Sequence, residues 1–122
     1  MNDDTPPAEF SLNDRLLTRQ LEIALSHHFH SACLDRGLET LLGRSIWYIT
    51  HNAGFSILAI ECPDIKICWA ILESIGTIGI ILEDLGIARV RIYPPATEGT
   101  ALELRVDEMD IIRGVFNPVE DL

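Results

Sequence analysis

The densest set of side chains able to do chemistry is His27-His28-Phe29-His30-Ser31-Ala32-Cys33. Neutral imidazole and thiolate are zinc ligands. On a helix, His27, His30 and Cys33 follow one another three residues apart and share a side. A closed zinc site needs four ligands and a catalytic one three. One helix presents only two or three of these, so His51 or Cys62 would have to complete the set. The competing reading is a helix end, where histidines favour the negative pole of the dipole. His28 is then half-buried and Cys33 is a small core residue. On that reading the chain carries no metal and no cofactor. His27, His30 and Cys33 stand as the alternative ligand set.

Three cysteines and four histidines also allow a cysteine–histidine nucleophile pair. No family signature surrounds any cysteine. Cys68 falls in a strongly apolar helix and Cys62 at a strand end, so structural thiols are expected. Acid–base chemistry needs two carboxylates in one cleft. Glu61-Cys62-Pro63-Asp64 lies where a strand gives way to a helix, the place at which open α/β sheets bind ligands. A small-ligand sensor with its pocket near Glu61 and Asp64 is therefore a further reading. Asp64 is more simply the cap of the helix that follows. Asp107-Glu108-Met109-Asp110 resembles half of a calcium loop and lacks its glycine and closing glutamate. Gly76-Thr77-Ile78-Gly79 sits inside a helix with no following lysine, so it is no phosphate loop. Each set falls short of what its chemistry requires, and the chain is expected not to be an enzyme.

The elements that would position these residues follow from periodicity. Leu17, Leu21, Ala24, Leu25, His28 and Ala32 recur at helical spacing, with Arg15, Arg19, Glu22 and Ser26 opposite. A helix over about residues 12 to 33 is predicted, capped by Ser11 or Asn13. A short helix over Leu34 to Leu42 ends at Gly43. Ser45 to His51 and Phe55 to Cys62 read as strands joined by Asn52-Ala53-Gly54. Both are apolar on both faces, a pattern of strands covered on two sides. Pro63-Asp64 starts a helix that runs to about Leu85 and stops at Gly86. Its apolar residues go nearly all round, and Gly76 and Gly79 interrupt it for close packing or a kink. Ala88 to Tyr93 and Leu102 to Asp107 alternate apolar and polar, an antiparallel pair with one wet face.

The crossover helix makes the second and third strands parallel. The expected fold is α+β in two layers, α-β-β-α-β-β, a mixed four-stranded sheet with helices packed on it. One domain spans 11–116, between a disordered tail at 1–10 and a C-terminal tail at 117–122.

Net charge is −10, with the nine basic residues scattered singly. Repulsion from phosphate argues against nucleic acid and anionic membrane as partners. Ile65 to Leu82 is too short and too charged to span a bilayer. The first ten residues lack the charge and the apolar run of a signal peptide. With an odd number of cysteines in no disulfide pattern, a reducing cytoplasm is expected.

Residues 55 to 108 run as strand, proline, long helix, Arg89-Val90-Arg91-Ile92-Tyr93 and a last strand. That order resembles a β-α-β-β module of cyanobacterial proteins of unassigned function. The closing aromatic pattern of the module is missing after Gly99. The resemblance implies the fold and a cyanobacterial source and brings no mechanism.

What remains is interaction. The helix from 64 to 85 holds more apolar surface than one sheet face and one helix can hide, which points to a homo-oligomer through Trp69, Leu72, Ile75, Gly76 and Gly79. Arg89, Arg91, Tyr93 and Arg105 share a sheet face and offer residue types enriched in interface hot spots. The expected function is a non-enzymatic regulatory or adaptor protein that binds another protein and itself.

Overall fold

The computed structural model describes residues 8–109. Its elements are α1 (Ala8–Asp35), α2 (Glu39–Gly43), β1 (Ile46–Asn52), β2 (Phe55–Glu61), α3 (Ile65–Glu73), α4 (Ile75–Leu85), β3 (Arg89–Tyr93) and β4 (Leu102–Arg105). A 3-10 turn, Val106–Glu108, follows β4. The strands form one mixed sheet in the order β1-β2-β3-β4, antiparallel, then parallel, then antiparallel. The fold class and the parallel relation of the second and third strands match the expectation. The expected N-terminal tail at 1–10 is overrun by α1, which already begins at Ala8, so Ser11 and Asn13 lie inside the helix rather than capping it. The remainder of that tail and the tail at 117–122 lie outside the described residues.

Alternation divides the sheet into two faces. Trp47, Ile49, Leu58, Ile60, Val90, Ile92 and Leu104 turn toward the helices and form the core with them. Tyr48, Thr50, Ile57, Ala59, Arg89, Arg91, Tyr93, Glu103 and Arg105 line the other face. Only β2 is buried on both sides. The register sets Arg89 beside Ile57 and Arg91 beside Ala59, and long side chains of this kind cover apolar neighbours with their stems. The expectation that β1 is covered on two sides does not hold, because Ile46 and Tyr48 are exposed on the open face. The β1–β2 loop is the two-residue turn Ala53-Gly54, with both φ positive. Those angles match the right-handed twist of the strands.

The helix predicted over 64–85 is two helices. α3 and α4 meet at Ser74 with a bend of 64°. The bend lets both halves turn apolar sides inward, and Ile67, Cys68, Ile71, Ile75, Ile78, Ile81 and Leu82 are all buried. Much of the surplus apolar surface read from this segment is thus hidden within the chain. Gly86 ends α4 in the left-handed conformation, φ 75°, where glycine carries no Cβ penalty. Gly79 serves close packing: a Cβ there would stand 2.6 Å from Met109 Sδ. Gly79→Val is expected to destabilise by roughly 1–3 kcal/mol through overpacking. Gly79→Ala is expected to be far milder, since a thioether end can shift and alanine favours helix. Urea denaturation of the two variants measures the difference.

The first helix is rolled away from the expected orientation. Leu25, Phe29, Ala32 and Cys33 face the core, while Leu17, Leu21, Ala24 and His28 face solvent. Glu22 and Ser26, read as solvent-facing, are half-buried. Two contacts set the roll. Phe29 is fully buried and meets Trp47 edge-on at 5.1 Å. The Glu22 carboxylate accepts the backbone N–H of His51 at 2.9 Å on the outer edge of β1.

Candidate interaction surface

The open sheet face carries a connected polar lattice. Glu103 accepts Arg89 Nη1 at 2.6 Å through one oxygen and Arg91 Nε at 2.8 Å through the other. Hydrogen bonds from Arg89 and Arg91 hold its carboxyl below the usual carboxylate range. Arg91 also donates to the Tyr93 hydroxyl at 3.4 Å. That bond, with the bond to Glu103, raises its pKa further. Arg105 pairs with Asp107 at 2.9 Å and approaches Glu108 at 3.9 Å. The Arg89 guanidinium lies 4.8 Å over the Phe55 ring, a cation–π distance. The Tyr48 hydroxyl donates to Glu61 at 3.0 Å, which raises the phenol pKa. The structure therefore brings Arg89, Arg91, Tyr93 and Arg105 to one face, as read from the alternation. Each of the three arginines already has an acidic partner in its own chain, and an acidic partner protein would compete with Glu103 and Asp107.

The residues read as an oligomer interface are dispersed. Trp69 is exposed, Leu72 and Gly76 are half-buried, and Ile75 and Gly79 are interior. The last two are corrected to core positions, because the bend at Ser74 turns them inward.

The chemistry sets separate in the same way. His27 and His30 are exposed while Cys33 is buried, so their side chains diverge around the helix. Among the described residues no group of three potential ligands comes together. Burial pushes the Cys33 thiol up to about 11. Burial and the neighbouring Cys68 thiol, which shares a hydrogen bond with it, push Cys62 up to about 12. Thiols in this state are protonated near neutral pH and are poor nucleophiles. Asp64 caps α3, accepting the Ile67 N–H at 2.9 Å. A hollow of about 380 Å³ opens between Phe55, Glu83, Ala88, Arg89, Arg105 and Asp107, at the Phe55 end of β2, whereas Glu61 closes the other end of that strand.

One pairing was not anticipated. His51 Nδ1 lies 2.8 Å from the buried Ser56 hydroxyl, a nucleophile–base distance. Glu22, the nearby acid, is bonded to the His51 backbone N–H and not to its ring. A relay needs the acid on the second ring nitrogen, so this pair is read as a cross-strand bond that satisfies a buried hydroxyl. Register Ser56 to His51 is fixed by the two-residue turn, which a three-residue loop in the sequence reading obscured.

The feature that sequence reasoning missed is the outer part of α1. Residues 12 to 17 are all exposed. Leu12, Leu16, Leu17, Leu21 and Ile23 are between 40% and 65% exposed. The signal was present: Leu12, Leu16 and Ile23 lie outside the stripe of Leu17, Leu21 and Ala24. A helix with two apolar stripes has more surface than one core contact can cover.

No family model, curated protein or solved structure matches the chain. No single helix among the described residues is long and apolar enough to cross a membrane.

Proposed function

We propose that the protein is a non-enzymatic regulatory or adaptor protein that acts by binding other proteins and by associating with itself. The observation that carries the reading is the exposed leucine surface of α1. Large apolar side chains on a helix are expected to be covered in the working state, and among the described residues these leucines stay exposed. The inert thiols, the dispersed histidines and the bonded carboxylates support the absence of catalysis. A net charge of −10 disfavours nucleic acid as the partner. Three free, buried cysteines suit a reducing compartment such as the cytoplasm.

The test replaces Leu12, Leu16, Leu17 and Leu21 together with serine. These side chains make little contact with the fold, so the melting temperature is expected to stay close to that of the parent. Self-association by light scattering, or capture of partner proteins, is expected to fall at least tenfold, on the order of the loss of one or two buried leucines. Unchanged association and unchanged capture would remove the arm from the interaction surface.

A further inference from the structure

The two edges of the sheet are treated differently. On β1 the outward N–H of His51 is taken by Glu22 of α1. On β4 no strand pairs with the outer edge among the described residues. Val106 N–H bonds Ala88 carbonyl at 2.9 Å, so the even-numbered residues of this strand turn their backbone groups toward β3. Alternation then turns the N–H and C=O of Glu103 and Arg105 outward. An unpaired edge of this kind is a template for another strand.

We propose that β4 pairs antiparallel with β4 of a second copy, with Glu103 opposite the copy's Arg105. The inference rests on the self-association reading above and adds a second contact surface to the α1 arm. Three features of the strand agree on the same register. The outward backbone groups belong to Glu103 and Arg105, which become the hydrogen-bonded pair and exchange both bonds. Their side chains share the open face, so acid meets base on each side of the two-fold axis. On the other face Leu104 meets its own copy and Leu102, which is exposed in the single chain, meets Val106. The pairing also answers a feature of the single chain. Register sets Arg105 directly opposite Arg89, a like-charge pair that is unfavourable in a sheet. The copy's Glu103 would lie on the far side of Arg105 and set an opposite charge beside it. A two-fold axis makes the contact isologous and closed, so it ends at a dimer and does not propagate.

The experiment is sedimentation of the full chain over a concentration series, with hydrogen exchange of individual amides. The Glu103 and Arg105 amides are expected to gain protection as concentration rises. Arg105→Glu sets like charges across both halves of the contact, and is expected to weaken the dimer by roughly tenfold or more. The exchange Glu103→Arg with Arg105→Glu is expected to restore it, with circular dichroism confirming the fold of each variant. Protection of these amides that does not depend on concentration, or a dimer indifferent to Arg105→Glu, would overturn the proposal. In that event the serine variant of the α1 arm decides separately whether self-association stands: a dimer lost in that variant keeps the broader reading and removes β4 from it. A parent that stays monomeric throughout the series removes both.

Discussion

Phe29→Ala is expected to lower the unfolding free energy by roughly 3–5 kcal/mol, the cost of emptying a fully buried aromatic site. Phe29 is the anchor of α1: it is fully buried, and its ring meets Trp47 of β1 at 5.1 Å and 62°. An edge-to-face pair adds about 0.5–1.5 kcal/mol beyond the area it buries. Among the described side chains of α1 the other deeply buried one is Cys33, which is small. Truncation therefore removes most of what holds a 28-residue helix to the sheet. A domain of this size has a total stability of roughly 5–15 kcal/mol, so the variant retains a fold only if the parent sits in the upper part of that range. Urea unfolding followed by tryptophan fluorescence measures the change. Phe29→Leu keeps much of the volume and is expected to cost less than half as much. A loss under about 1 kcal/mol for Phe29→Ala would show that α1 is docked by other contacts.

The sheet was legible because alternation and turn residues act locally. Val90 and Ile92 against Arg89 and Arg91 assign a core side and a wet side without any knowledge of the rest of the chain. Gly86 and Asp64 mark helix ends by the same local rules, a left-handed stop and an oxygen cap. The misreadings share a cause of another kind. A stripe such as Leu17, Leu21 and Ala24 says that a helix has an apolar side, but the roll is decided by the partner. Here one ring against Trp47 and one carboxylate on the His51 N–H outweigh the longer stripe. The break at Ser74 was hidden for a similar reason. An all-round apolar helix and two shorter helices bent around a core have the same composition, and Gly76 and Gly79 drew attention to the wrong position. The candidate site was half legible. Strand alternation assembled Arg89, Arg91, Tyr93 and Arg105, whereas the fork onto Glu103 needed the cross-strand register, which depends on how far the Pro94–Ala101 connection lets β4 slide.

A pair of leucines separates what folds this chain from what it offers to others. Leu58→Ala, in the centre of β2 and fully buried, is expected to cost roughly 2–5 kcal/mol, the lost transfer energy plus the cavity left behind. Leu17→Ala removes the same atoms from a side chain that is 65% exposed, and is expected to change stability by no more than about 0.5 kcal/mol. Alanine is as good a helix former as leucine, so no propensity loss disguises the comparison. The contrast bears on function because an exposed apolar side chain that contributes nothing to folding is free to be used elsewhere. If thermal and urea unfolding find Leu17→Ala as costly as a core truncation, then the arm is packed in the isolated protein and is not an open surface. If the cost is near zero while association weakens, the leucine belongs to the contact with a partner. The outer part of α1 has the further property that residues 12 to 17 are all exposed. A free helical extension this short is marginal in water. Covering it with a partner would therefore order the helix as well as bury its leucines, and association would add helical signal in far-ultraviolet circular dichroism as concentration rises. The serine variant of the arm, lacking the apolar contact, is expected to show no such rise.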